Sequence, residues 1–178
     1  NLDEASSQNA SLRKTTQSAS QLTYRLQALT TAYELTLNEY YSTVIDETRY
    51  REKVVQLLHA IESDIARLAK LDAREHQLTS NELTQQLAEM EKRRTQLNQA
   101  MLEPTRDWDV AREALFKINI LSTQAIETAA KAASASDEKI QMLDQNLNER
   151  HQQLRDQLIA LLALAGLLSA LTGVQSLR

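Results

Sequence analysis

The stretch "LIALLALAGLLSALTGV", Leu158 to Val174, carries no charge and holds both glycines of the chain, Gly166 and Gly173. How it is read decides what the helices before it can be. The uncharged run extends from Gln157 to Leu177, with Arg155 and Asp156 at one end and Arg178 at the other. A bilayer core takes about 20 helical residues, so the length fits a membrane span. Ala163, Gly166, Ala170 and Gly173 fall 3, 4 and 3 residues apart and share one face of a helix, where a neighbouring helix packs closely. Glycine is costly in a water-exposed helix and common within membranes. The competing reading is a buried helix of a soluble core, but no other segment is apolar enough all round to surround one.

Upstream of that run the composition all but dictates helix. Glycine and proline punctuate chains, and β-branched and aromatic residues feed strands. The 178 residues contain 2 Gly, 1 Pro and 1 Phe. Alanine, leucine, glutamine, glutamate, arginine and lysine dominate, which makes the chain all-α. A net charge of −4 gives no basic excess for phosphate backbones, so nucleic acid is not an expected partner. The absence of cysteine excludes disulfides and thiolate metal sites. Asn1 is not a start methionine, so the chain is expected to begin inside a longer protein.

Hydrophobic periodicity resolves four helices. The first is predicted from about Asp3 to Thr43. Leu12, Ala19, Leu26, Tyr33 and Tyr40 recur every seven residues, and Leu22, Leu29, Leu37 and Val44 fill the second core position. A turn falls in "YSTVIDET" (Tyr41 to Thr48), rich in β-branched and capping residues. The second helix, about Arg49 to Ala73, carries Val54, Leu58, Ile61, Ile65 and Leu68. In "LTSNELTQQL", Thr79 and Glu82 have the spacing of a capping box and predict the start of the third helix. That helix carries Leu83, Leu87, Met90, Leu97 and Met101, and it ends at "EPTRDWD". There Pro104 disfavours helix in the residue before it, and Thr105 or Asp107 can cap the next helix. The fourth helix begins near Trp108 with the stripe Leu115, Ile118, Ser122, Ala125, Ala129, Ala132, Ile140, Leu143, Leu147 and Leu154. No breaker separates it from the apolar run. "REKVVQLLHAIESDIARLAKLDARE" (Arg51 to Glu75) mixes both charge signs at helical spacing and reads as a solvated face.

At 1.5 Å per residue the outer helices are about 60–75 Å long and the inner pair about 35–40 Å. The expected architecture is an antiparallel up-down-up-down four-helix bundle with long outer helices 1 and 4, the last running into a transmembrane helix. The inner pair covers only part of the outer pair and leaves a two-helix stem beside the membrane. The domain division is 1–157 for the bundle and 158–177 for the span.

Taken together, a polar stem, a four-helix body and an unbroken return into a membrane span resemble the ligand-binding domain of bacterial chemoreceptors and related sensor kinases and cyclases. The resemblance covers nearly the whole chain and rests most on "DWDVAREALFKINILSTQAIETAAKAASASDEKIQMLDQNLNERHQQLRDQLIALLALAGLL". That segment is similar to the family's last helix in its acidic-aromatic start, its "AREAL" turn and its Ala-rich middle. The resemblance implies a first membrane helix before Asn1 and a cytoplasmic output after Arg178. It also implies a bacterial inner-membrane location with residues 1–157 in the periplasm, a homodimer, and signals passed by small shifts of the fourth helix. Amino-acid-binding members hold their ligand with arginines late in helix one. Here no arginine cluster is found, Arg25 having no neighbouring arginine in that helix, so amino-acid sensing is not carried over.

Little else carries chemistry. His59, His76 and His151 have no histidine partner at helical spacing, and no phosphate loop or nucleophile motif is present. The expectation is a non-enzyme without metal or cofactor. The tyrosines divide between core packing, for Tyr33 and Tyr40 on the heptad stripe, and a ligand-lining cluster in the membrane-distal body. The candidate ligand residues are Tyr33, Asn38, Tyr41, Trp108, Arg112 and Asn119, with Lys117 nearby. The expected function is an extracytoplasmic sensing domain acted on by a small molecule or a periplasmic binding protein. The alternative is a structural membrane-anchored coiled coil without a ligand.

Overall fold

The computed structural model describes residues 2–71, 74–102 and 104–175, with side chains described for 7–71, 74–102 and 104–166. The chain folds as a helical bundle of four helices: α1 (Leu2–Tyr41), α2 (Glu47–Ala69), α3 (Arg74–Ala100) and α4 (Trp108–Gln175). The described residues contain no strand. Two compact units are distinguished, Asn1–Glu138 and Lys139–Arg178. The first holds α1, α2, α3 and the first part of α4. The second is the remainder of α4, whose described side chains are exposed or half-buried.

The heptad stripes become the core of the first unit. Ala19, Leu22, Leu26, Tyr33, Leu37 and Tyr40 of α1 are buried with Val54, Ile61, Ile65 and Leu68 of α2. Leu83, Leu87, Met90 and Leu97 of α3 join Leu115, Ile118, Ala125 and Ala129 of α4. Cross-helix pairs define the neighbours. Lys53 of α2 meets Glu39 of α1 at 2.9 Å, and Ser80 of α3 donates to the Ile65 carbonyl of α2 at 3.2 Å. Thr128 of α4 donates to Glu82 of α3 at 2.9 Å, and Ser20 of α1 donates to Asp137 of α4 at 2.7 Å.

The turn expected in 41–48 is present, and its geometry corrects one core position. α1 stops at Tyr41, and Thr43 takes φ 57°, a left-handed conformation uncommon for a β-branched residue. The reversal sends Val44 out to solvent and buries Ile45 in its place. Asp46 then caps α2, its carboxylate accepting the Arg49 N–H at 2.8 Å. Asp46→Ala is expected to cost about 1 kcal/mol by removing that acceptor. An unchanged urea midpoint in the variant would show the cap to be dispensable.

Other boundaries depart from the sequence pattern. α3 begins at Arg74, five residues before the expected capping box. Thr79 lies inside the helix and donates to the Glu75 carbonyl at 3.0 Å, so it caps nothing. A hydroxyl with helix on both sides finds its own i−4 carbonyl instead. Of the two candidate caps after Pro104, Asp107 serves: its carboxylate accepts the Val110 N–H at 3.1 Å. In α4 the buried seam steps from Ala129 to Ala133 and Ser136, not to Ala132, which is half-buried. A helix of 3.6 residues per turn needs a four-residue step there to stay on the same face.

Candidate functional site

The core of the first unit encloses a polar cluster at the middle of the α1–α2–α3 packing. Tyr33 of α1 is fully buried, and its hydroxyl donates to Glu91 Oε1 of α3 at 2.5 Å. Arg94, one turn on, holds the same carboxylate through Nε at 2.9 Å to both oxygens and through a second nitrogen at 2.5 Å. Tyr50 of α2 donates to Asn98 Oδ1 at 2.6 Å and stacks on Tyr40, with ring centroids 4.0 Å apart. Burial raises the Tyr33 phenol far above its ordinary range, and the Glu91 charge adds to the effect. Burial likewise pushes Tyr50 up to about 12, against the opposing pull of Arg94. Burial works against the Arg94 charge, yet its hydrogen bonds and ion pair with Glu91 hold the guanidinium more firmly protonated than usual. At neutral pH the cluster is two phenols and one neutralised ion pair, with every named group partnered.

A second buried charge lies in the segment that reads as a solvated face. Asp64 of α2 is 1% exposed, which corrects that reading for this residue. Arg25 places Nε 2.9 Å from Asp64 Oδ2, out of hydrogen-bonding alignment, and Arg67 donates to Oδ1 at 3.3 Å. Arg25 is therefore a structural counter-ion. A buried carboxylate is tolerable only with such partners, and both arginines reach it with their own side chains more than half exposed.

The six candidate ligand residues do not converge on one cavity. Tyr33 belongs to the buried cluster. Asn38 spends its amide on the Glu34 carbonyl of its own helix at 2.9 Å. Arg112 pairs with Asp109 at 2.7 Å, and Lys117 pairs with Glu113 at 2.6 Å, both within α4. Asn119 is half-buried, and its Oδ1 has no hydrogen-bond partner. Only Tyr41 and Trp108 meet: their rings pack edge-on with centroids 5.7 Å apart, and the Arg106 guanidinium lies 5.7 Å from the Trp108 ring. Trp108 remains 45% exposed.

Grooves open elsewhere on the first unit. One of about 590 Å³ is lined by Tyr40, Ile45, Asp46, Met101, Leu102 and Arg106, at the turns joining α1 to α2 and α3 to α4. Another of about 520 Å³ separates α3 from α4, with Arg93, Gln96, Asp107, Glu113 and Lys117 on its walls. Two more follow the α2–α3 and α1–α2 seams, of about 450 and 460 Å³. None of the six candidates lines any of these four. Sequence reasoning missed Glu91, Arg94 and Arg106. The available signal was that Glu91 and Arg94 sit between core positions Met90 and Leu97, a flank where a charge is half enclosed.

In the second unit, Leu158, Ile159, Leu161, Leu162 and Leu164 are exposed, as are Ala163 and Gly166. A Cβ added at Gly166 meets nothing within 4 Å among the described residues. Ala170 and Gly173 lie beyond the described side chains, as does the second half of the apolar run. Among the described residues no helix is long and apolar enough to cross a membrane, and no group of three or more metal-ligating side chains gathers. The chain matches no protein-family model, no curated protein and no solved structure.

Proposed function

We propose that this chain is the extracytoplasmic signal-sensing domain of a bacterial inner-membrane receptor, resembling that of chemoreceptors, which passes binding events to a cytoplasmic output through α4. In this reading the four helices run up, down, up and down, and α4 continues into a membrane helix over 158–177. The protein acts as a homodimer and catalyses nothing. The order of the cross-helix pairs supports the topology: late α1 meets early α2, late α2 meets early α3, and Asp107 N–H bonds back to the Ala100 carbonyl.

The single observation that carries the proposal is the exposed apolar stretch of α4 from Leu158 to Leu164. Leu158, Leu161, Leu162 and Leu164 are 59%, 66%, 68% and 59% exposed. Burying such a side chain is worth about 1.5–3 kcal/mol relative to leaving it in water. Several in succession on all sides of one helix demand an apolar surround, and the run continues uncharged to Leu177. The receptive surface is taken to be at the turns of the first unit, where Tyr41, Trp108 and Arg106 offer aromatic and cationic surface beside the groove.

The test is membrane association of the whole chain. Asn1–Arg178 is expected to float with phospholipid vesicles and to resist alkaline extraction, and Leu161→Lys with Leu164→Lys is expected to release it. A reporter fused after Arg178 is expected to be active only in its cytoplasmic form. Recovery of the unaltered chain from the aqueous phase as a discrete oligomer would overturn the membrane assignment. Membrane association with no thermal shift from any organic acid, amino acid or aromatic compound would favour a membrane-anchored scaffold.

A further inference from the structure

The groove along the α2–α3 seam, of about 450 Å³, is large enough for a small organic ligand. Its apolar lining is made of small side chains, Ala66 and Ala69 of α2 and Ala88 of α3, beside the buried Ile65 and Leu87. Helical spacing brings these residues to one place. Glu62, Ala66 and Ala69 recur along one face of α2, and Ser80, Thr84, Leu87 and Glu91 along one face of α3. Alanine on both walls leaves open the space that leucine fills elsewhere in the core.

The polar lining accepts hydrogen bonds and offers few protons. Ser80 donates its one hydroxyl proton to the Ile65 carbonyl at 3.2 Å, and Thr84 donates its own to the Ser80 carbonyl at 2.8 Å. Each of these oxygens keeps lone pairs. Among the described lining side chains only Asn81 has protons to offer. Glu91 closes one end as a neutralised group, because Tyr33 and Arg94 occupy both its oxygens. Glu62 is exposed and has no ion pair among the described residues. The bases nearest in sequence are engaged elsewhere, Arg67 on Asp64 and Arg94 on Glu91. Each of the other three grooves carries a lysine or arginine on its walls, and this one carries none.

We propose that this groove binds a small protonated primary amine with an apolar body. Glu62 and the lone pairs of Ser80 and Thr84 hold the ammonium, and the body lies on the alanines. An ammonium carries three N–H donors and no acceptor, the complement of this lining. Hydrogen bonds between ionised partners are stronger than neutral ones, so the charge of Glu62 selects a cation over a neutral molecule of the same shape. A carboxylate ligand meets lone pairs and a like charge. The site shares no lining residue with the groove at the turns and does not rest on the membrane assignment.

The test is calorimetric titration of the whole chain with phenethylammonium chloride. The chain is held in buffer, or in phosphatidylcholine nanodiscs if it partitions to vesicles, with empty nanodiscs subtracted. The comparison ligand is 3-phenylpropionate, a similar body with the opposite charge. Phenethylammonium is expected to bind with a Kd of about 1 mM, in keeping with its small size, and phenylpropionate is expected not to bind. Glu62→Gln keeps the shape, removes the charge and is expected to weaken binding about tenfold. Ala66→Leu fills the groove and is expected to abolish binding. Both positions are exposed, so both variants are expected to match the circular dichroism of the unaltered chain. Glu47→Gln, in the groove at the turns, is expected to leave the Kd unchanged. The proposal falls if phenethylammonium does not bind, if phenylpropionate binds equally well, or if either groove variant leaves the Kd unchanged. It also falls if Glu47→Gln weakens binding as much as Glu62→Gln, which would assign the attraction to the net charge of the chain. Amine binding by a chain that stays off vesicles would sustain the groove and refute the receptor reading; a membrane-bound chain without amine binding would do the reverse.

Discussion

Glu91→Ala is expected to destabilise the first unit by about 2–3 kcal/mol, far more than a surface glutamate on an exposed helix face. The carboxylate is the shared acceptor of the Tyr33 hydroxyl on α1 and the Arg94 guanidinium on α3. Its removal leaves a buried phenol without an acceptor and a partly enclosed cation without a counter-charge. Arg94 keeps a quarter of its side chain in water, so the loss is smaller than for a fully buried ion pair. Tyr33→Phe is expected to cost only about 1 kcal/mol, because Glu91 retains Arg94. The double variant is expected to fall short of the sum, since both substitutions remove the same bond. Trp108 is the only tryptophan, and its fluorescence in urea follows the body directly. Equal midpoints for Glu91→Ala and the unaltered chain would show that the cluster contributes nothing to the packing of α1 on α3.

Leu97→Ala is expected to cost about 3 kcal/mol, and Leu147→Ala less than about 1 kcal/mol. Both leucines lie on the hydrophobic stripes of their helices and look alike in sequence. Leu97 is fully buried in α3, where truncation leaves a cavity that close-packed neighbours cannot fill. Leu147 is half-buried in the second unit and leaves only an open notch. A similar cost at both sites would mean that Leu147 is covered by a partner, as a dimeric stem requires.

The two experiments separate what periodicity conveys from what packing adds. The seven-residue recurrence in α1 finds Ala19, Leu26, Tyr33 and Tyr40, and each is buried. The same recurrence places Leu12 in the core, yet it is 40% exposed, because a stripe records which face is apolar and not whether anything covers it. The candidate site was legible only at Tyr41 and Trp108. Polar side chains near helix ends, such as Arg112, Lys117 and Asn38, look available in sequence. Each has a local partner within one turn, and a local partner wins because it costs little chain entropy.

By itself the sequence determined that the chain is helical, that it breaks after Tyr41 and around Pro104, and which face of each helix is apolar. These follow from local terms: helix propensity, the rigid ring of proline, and a 3.6-residue period that any amphipathic segment must obey. Only the tertiary structure decided the fates of the charges. Asp64 lies within a run that alternates like a solvated surface, and Arg25 seems isolated in α1, until α1 and α2 pack and each becomes the other's partner. Glu91 and Arg94 resemble any i,i+3 surface pair, until Tyr33 arrives from a residue 58 positions away. A charge costs little in water whatever its sequence neighbours are. Once buried it demands a partner, and which side chain supplies one is fixed by how separate helices meet, information that no local window of sequence contains.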